Sequence, residues 1–338
     1  MALEIISSGP LTTVQDLGRT GYAAQGFQES GACDKYALKL ANLLVGNPHE
    51  SAGLEFTLKG GTIRFTAPEV IALTGADMGP EINKTPVPMF CPLQVDAGDV
   101  LTMGMAVSGL RGYLAIAGGI QVPPVMGSRS TNLKCRLGGL EGRPLKEGDV
   151  LQGGSEAGSV CRAEKAQMQG LCLDDETGKW LSRSSTPYRI MGDKCIVMLR
   201  TVPGPQQEAF TEEGIRTFER SIYTLTADSN RMACKLAGPG IETVHGSDII
   251  SDGIVEGSVQ VASDGMPIVM LADHQTTGGY AKIGTVISTD IPALAQLKPG
   301  DQVAFKLITP EEGIAACRKE VVKLAYLREK FGRNLSKK

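Results

Sequence analysis

Gly98-Asp99-Val100-Leu101 recurs in kind at Gly148-Asp149-Val150-Leu151 and at Gly300-Asp301-Gln302-Val303. Glycine reaches positive φ without a Cβ clash, and an aspartate side chain bonds its own nearby backbone. Each pair therefore reads as a turn that feeds a strand. Its recurrence near the ends of two candidate domains points to two related β-units. Working outward, short apolar or alternating runs predict strands at Leu3–Ser7, Thr62–Thr66, Val70–Leu73, Val100–Met103, Gly112–Ile116, Cys195–Leu199 and Val303–Ile308. The chain holds 42 glycines in 338 residues with no collagen period, which fits many turns and bulges.

Helices are predicted at Asp34–Leu44, stopped by Gly46-Asn47-Pro48, and at Glu208–Thr217. A C-terminal helix starts at Pro310. Thr309 suits its cap, and Glu311 and Glu312 suit the positive dipole end. Its apolar stripe is Ile314, Cys317, Val321, Leu324 and Phe331, expected to dock on the core. The division follows: a first β-unit over 1–152, a linker over 153–190, a second β-unit over 191–308, and the helix and tail over 309–338. Gly153–Gly158 is rich in Gly and Ser, and Asp174–Thr186 is mostly polar.

Composition narrows the function. Lys and Arg total 34 against 37 Asp and Glu, a net charge of −3. No basic stripe speaks for nucleic acid. Apolar runs are strand-sized, far short of the ~20 residues of a membrane span. Met1-Ala2-Leu3-Glu4 lacks the basic and apolar regions of a signal peptide, so a cytoplasmic location is expected. Eight cysteines are scattered with no C-x-x-C, which reads as reduced thiols. Three histidines and no H-E-x-x-H make no metal site, and the phosphate and dinucleotide glycine fingerprints are absent. No Met-Lys-Met is present, so no covalently bound biotin is expected on this chain.

Four segments concentrate polar and small residues. They are Thr12–Arg19 with Ser30–Asp34, Ala117–Gly119 with Gly127–Thr131, Pro203–Gln206 with Ser229–Met232, and Ser251–Ile254 leading into Asp273–Tyr280. Arg19, Arg129 and Arg231 can fork onto a carboxylate or phosphate. Gln15, Gln206 and Gln275 offer both donor and acceptor to a substrate amide. Asp16 and Asp273 suit orienting or base roles. Glu55 reads either way, as a site or a structural carboxylate.

These segments carry a resemblance. Thr12-Thr13-Val14-Gln15-Asp16-Leu17-Gly18-Arg19, Ala41-Asn42-Leu43-Leu44-Val45-Gly46-Asn47, Gly127-Ser128-Arg129-Ser130-Thr131, Pro203-Gly204-Pro205-Gln206 and Gln275-Thr276-Thr277-Gly278-Gly279-Tyr280 resemble the biotin-dependent carboxyltransferase-like family. Its members include the C subunit of the bacterial ATP-dependent 5-oxoprolinase and part of the carboxyltransferase domain of urea carboxylase. The resemblance implies a mainly β fold of two cyclophilin-like β-barrel units with a few short helices and a C-terminal helix. It implies one component of a hydrolase, inactive alone, that opens 5-oxo-L-proline to L-glutamate with ATP and Mg²⁺. The B subunit of 5-oxoprolinase would complete a composite cleft, and the A subunit would complete the enzyme. Two alternatives stand beside it: a carboxyltransferase component acting on urea or another amide with biotin on another chain, and a regulatory antagonist of a histidine-kinase inhibitor. The implied catalytic residues are Asp16, Arg19, Arg129, Arg231 and Asp273. The implied substrate contacts are Gln15, Ser130, Thr131, Gln206, Gln275, Thr276, Thr277 and Tyr280. The chain departs from the family pattern at Ala233 and Ala262, where the pattern has Gly and Pro, and at His274, often Arg. A tight turn near Ala233 and a cationic contact near His274 are therefore expected to differ.

Overall fold

The computed structural model describes residues 2–154, 188–191 and 194–336. The chain is mainly β with few helices, as its sequence predicts. It divides into two compact units. The first is built from residues 2–19, 30–154 and 323–336, and the second from Thr20–Glu29, 188–191 and 194–322. The assignment of Thr20–Glu29 to the second unit has no counterpart in the sequence reading. Most of the expected linker, together with Cys161 and Cys172, lies outside the described residues.

Two antiparallel sheets make the first unit. One has seven strands, ordered Ile120–Gln121, Val150–Gly153, Ala2–Ser7, Thr62–Phe65, Val100–Thr102, Glu81–Ile82 and Thr85–Pro86. The other has five, ordered Leu11–Gln15, Gly53–Thr57, Ser108–Ile116, Glu69–Asp77 and Pro92–Val95. Alternate residues point inward, so Leu3, Ile5, Leu54, Phe56, Ile63, Phe65, Ile71 and Leu73 share one core. The continuous apolar run Val70–Leu73 has a different cause. Helix α1, Lys35–Leu44, covers the second face of the five-stranded sheet, with Tyr36, Leu40, Ala41 and Leu44 against Val70, Ala72 and Ala115. Leu324 and Leu327 of the C-terminal helix belong to the same cluster. A strand covered on both faces has no polar side to show. Asp34 caps α1 by accepting from the Ala37 amide at 2.8 Å.

The second unit closes on itself. Lys194–Pro203, Lys282–Val286, Ser258–Val261, Pro267–Met270, Ala233–Ala237, Ile222–Leu225 and Gln302–Leu307 follow one another, and the last returns to pair in parallel with the first. A seven-stranded barrel results, with Tyr188–Met191 added outside Lys194–Pro203. Closure leaves no unpaired edge among those seven strands. Helix α2, Glu212–Arg220, starts at a Thr211 cap and sends Phe218 onto Phe305, their rings stacked at 4.3 Å. The predicted helix at Glu208–Thr217 is thus a 3-10 turn followed by α2, shifted toward the C-terminus. Just before α3, Ile291–Ala295, the fully buried Asp290 accepts from Arg200 Nε at 2.9 Å and Nη2 at 2.5 Å. Ala233 opens a strand, where it pairs with Met270 and no turn is required.

The three Gly-Asp turns are the same turn. Gly98, Gly148 and Gly300 have φ of 92°, 85° and 93°. Asp99, Asp149 and Asp301 each accept, through the side chain, from the amide three residues back, at 2.7, 2.8 and 2.7 Å. Each glycine amide donates to a neighbouring strand, to Phe65, Ile5 or Leu225, and those residues donate back to the aspartate carbonyls. Two copies sit in the first unit and one in the second.

Helix α4, Pro310–Ser336, begins with a reciprocal cap. Thr309 Oγ1 accepts from the Glu312 amide, and Glu312 Oε2 accepts from the Thr309 amide. Its docking face corrects the sequence reading. Leu324 is buried, but Ile314 and Val321 are 52% and 66% exposed, and the Phe331 side chain lies outside the described residues. Gly313 and Ala316 face the barrel instead. A Cβ at Gly313 would lie 3.2 Å from Ile287, so small residues set the approach and turn the bulky ones outward.

Removing one partner of a buried ion pair leaves a bare charge and costs about 3–5 kcal/mol. Asp290→Ala should lower the unfolding free energy by about that amount in urea titration. Arg64→Ala, which breaks an exposed pair with Glu4, should change it by under about 1 kcal/mol.

Candidate functional site

The sequence-predicted residues gather into two clusters, one within each unit. In the first unit the centre is Asp16, at the end of strand Leu11–Gln15 and nearly buried. Its Oδ1 accepts from the Gly18 amide at 2.8 Å, Ser128 Oγ at 2.7 Å and Ser130 Oγ at 2.5 Å. Its Oδ2 accepts from the Arg129 amide at 2.5 Å. Three donors thus crowd Oδ1 and one reaches Oδ2, matching the charge of a nearly buried carboxylate. The Asp16 carbonyl also accepts from Ala32, which ties in the Ser30–Cys33 segment. Asp16 therefore holds three loops in place.

Around it, the hydroxyls of Ser130 and Thr131 are used internally, Thr131 Oγ1 donating to the Val14 carbonyl at 3.0 Å. Arg19 is buried at 1% exposure, and its Nη2 donates to the Ser130 carbonyl at 2.5 Å. Gly138 and Gly139, both at positive φ, press on this point. A Cβ at Gly138 would lie 2.1 Å from the Ser130 carbonyl and 2.8 Å from Arg19 Nη2, so the cradle excludes any side chain there. Gln15 is fully buried, with Nε2 bonded to Thr13 Oγ1 and the Thr131 carbonyl and with Oε1 unpartnered among the described residues. Arg129 is different. Its guanidinium is part-exposed, rests on the Val122 carbonyl through Nε at 3.0 Å, and keeps Nη1 without a protein partner among the described residues. Of the three arginines singled out in the sequence, Arg19 and Arg231 are buried, at 1% and 5% exposure, and Arg129 alone of the three presents a part-exposed guanidinium that can meet an anion.

A second polar network lies under α1. Glu55 accepts from the Cys33 amide at 2.9 Å and from Tyr113 Oη at 2.7 Å, and Tyr113 Oη accepts from the Asp34 amide. Burial, then the Glu55 charge, push the Tyr113 phenol well above its usual range. Glu55 is thus a structural carboxylate. The Asn42–Asn47 motif is structural too: Asn47 bonds Asn42 Oδ1, the Ile116 carbonyl and the Gly118 amide.

In the second unit three separately quoted motifs converge on a two-stranded antiparallel sheet, Asp248–Gly253 paired with Thr277–Tyr280. Asp252 lies opposite Gly278 and Gly253 opposite Thr277. Asp252 Oδ2 accepts from Gln206 Nε2 at 3.1 Å and from Lys282 Nζ at 2.7 Å. Gln206 Oε1 accepts from the Lys282 amide, and Lys282 Nζ also donates to the Gly253 carbonyl. The Lys282 ammonium beside Asp252 holds that carboxyl below the usual carboxylate range. Gln275, Thr276, Thr277 and Tyr280 are at least part-exposed, and their side chains make no hydrogen bond among the described residues. Separately, Arg231 Nε donates to Asp273 Oδ2 at 2.8 Å, both residues being buried, and Gln28 Nε2 bonds the Asp273 carbonyl. His274 is buried, with Nδ1 donating to the Gln275 carbonyl at 2.7 Å, so it serves a local turn.

Lys282 and Asp252 were missed as site residues in the sequence. A signal was present. Lys282 interrupts the apolar pair Ala281 and Ile283 directly after Gly278-Gly279-Tyr280, and a lysine is seldom buried without a partner.

The sequence profile of the family described as "Carboxyltransferase domain, subdomain A and B" matches residues 25–307. The chain belongs to that family. It is 38% identical over 314 residues to the C subunit of 5-oxoprolinase from Escherichia coli (strain K12), covering 93% of this chain and 94% of the relative. It is 33% identical over 326 residues to the corresponding 5-oxoprolinase component of Haemophilus influenzae, covering 96% and 97%. The crystal structure of the K. lactis urea amidolyase matches with a TM-score of 0.80 at 28% identity, over 98% of this chain and 20% of that one. The matched family segment holds the whole second-unit cluster and Ser128–Thr131. Asp16 and Arg19 lie just before it.

Asp16→Asn would turn an amide N–H toward donors and should cost about 2–4 kcal/mol in urea unfolding. Ser128→Ala removes one bond and should cost about 1 kcal/mol. An unchanged stability in Asp16→Asn would contradict the loop-holding role.

Proposed function

We propose that this chain is the C subunit of an ATP-dependent 5-oxoprolinase, working in the cytoplasm with the A and B subunits to open 5-oxo-L-proline to L-glutamate. One observation carries the reading: the likeness to the E. coli 5-oxoprolinase component runs over 94% of that protein, at 38% identity.

The chemistry explains the demands on such a site. A five-membered lactam is a resonance-stabilised amide. Transfer of the ATP γ-phosphoryl to the lactam oxygen, with release of ADP, makes the ring carbon open to water. Water adds, the ring C–N bond breaks with protonation of the amine, and an acyl phosphate remains. A second water releases phosphate and glutamate. Positioning and charge stabilisation supply most of the catalysis in phosphoryl transfer. In this reading Arg129 meets a substrate carboxylate or phosphate. Gln275, Thr276, Thr277 and Tyr280 contact the lactam. Asp16, Ser130, Thr131 and Arg19 keep the first-unit loop rigid, and the Arg231–Asp273 pair does the same for the Gln275 segment. Gln15 Oε1 accepts from a water or a substrate donor. Mg²⁺ enters with ATP at the level of the complex, and no residue of this chain is assigned to it.

A second reading is carboxyl transfer to urea or another amide, with biotin carried on another chain. The likeness to the K. lactis urea amidolyase supports it.

The test is glutamate release from 5-oxoproline with ATP and Mg²⁺, using this chain and its cognate A and B subunits. Omitting this chain should abolish release, and Arg129→Ala should lower kcat/KM by about tenfold or more. Full activity without this chain would sink the proposal. A silent complete mixture that accepts urea with a biotin carboxylase and carrier would establish the second reading.

A further inference from the structure

The carboxylates of the two clusters differ in what they have left to offer. Asp16 takes four donors and is 7% exposed, and Asp273 lies against Arg231 with only 6% of its surface exposed. Asp252 is built otherwise. Its side chain is 52% exposed, while the Lys282 side chain that holds it is 4% exposed. Oδ2 is filled by Gln206 and Lys282, but Oδ1 accepts, among the described residues, only the Gly253 amide at 2.7 Å. One acceptor position therefore remains, on the exposed side. The neighbouring Gly253 has open space where a side chain would stand.

An exposed Asp–Lys pair contributes little to stability, and a buried ammonium costs free energy to desolvate. An apolar residue at 282 would serve the barrel as well. The retained lysine, with Gln206 bracing the same oxygen, makes sense as a device for fixing the direction and charge of Asp252.

We propose that Asp252 is a substrate-binding carboxylate that accepts a hydrogen bond from the N–H of an amide substrate, with Lys282 and Gln206 as its positioning residues. The partner class follows from the chemistry. An ionised carboxylate only accepts, and it repels carboxylate and phosphate, so the group it takes is a donor on a neutral amide. The lactam N–H of 5-oxoproline fits, which rests on the proposed function, and the N–H groups of urea fit the same position. Gln206, expected from the sequence to bind the amide itself, is reassigned to holding the residue that does.

The test uses the reconstituted complex with the A and B subunits. Asp252→Asn removes the charge and sets an amide N–H either against the Gly253 amide or against Gln206 and Lys282. It should raise KM for 5-oxoproline at least about tenfold, change kcat less, and leave Tm near wild type because the residue is half exposed. Lys282→Met should raise KM in the same direction, and Lys282→Arg should recover most of the loss. An unchanged KM in Asp252→Asn, or a fall in Tm with no KM effect, would overturn the proposal and leave a structural ion pair. If the wild-type complex uses urea instead, the same variants are read on KM for urea, and the proposal stands or falls there. If it uses neither, ligand-observed NMR of the complex with 5-oxoproline, urea and acetamide decides. Saturation transfer lost in Asp252→Asn supports the assignment, and its persistence in that variant, or no transfer to the wild type, overturns it.

Discussion

A buried carboxylate must be matched by donors, and Asp16 shows how far that requirement organises a loop region. Four donors from two loops converge on its oxygens, and its own carbonyl takes a third loop. Leaving any of those donors unmatched would cost about 1–3 kcal/mol. The first-unit cluster therefore forms as one piece. Ser128, Ser130 and Thr131 are placed by it, and Arg129, whose amide it binds, projects a part-exposed guanidinium from a fixed backbone.

The second unit meets the same problem with a different division of labour. The barrel closes through the parallel pairing of Lys194–Pro203 with Gln302–Leu307, and Arg200 on the first of these strands is locked to buried Asp290. On that rigid body the two-stranded sheet of Asp248–Gly253 with Thr277–Tyr280 carries the residues that stay part-exposed. Lys282 roots that sheet in the barrel through Asp252 and the Gly253 carbonyl. Rigid support beneath exposed polar groups is the arrangement that catalysis and binding demand.

Much of this was legible in the sequence because it is local. The Gly-Asp turns need only glycine's positive φ and a side chain that reaches three residues back, and all three copies take that form. Asp34 and Thr309 announce helix starts for the same reason. The rest depends on distant partners. Whether Asp16 is a base or an anchor turns on Ser128 and Ser130, more than a hundred residues away, and no spacing rule reveals that. The stripe on α4 failed because Gly313 and Ala316 permit closer packing than the bulky residues do. Lys282 escapes a sequence reading because its partner lies thirty positions earlier, on a strand of a different sheet.

The proposed function makes this chain a working part of one coupled reaction. The most direct test is to titrate it into fixed amounts of its cognate A and B subunits, with ATP, Mg²⁺ and 5-oxoproline, following ADP and glutamate together. The account predicts that both products rise in step and level off at a fixed ratio of this chain to its partners. Glutamate formation that is indifferent to the amount of this chain would contradict it.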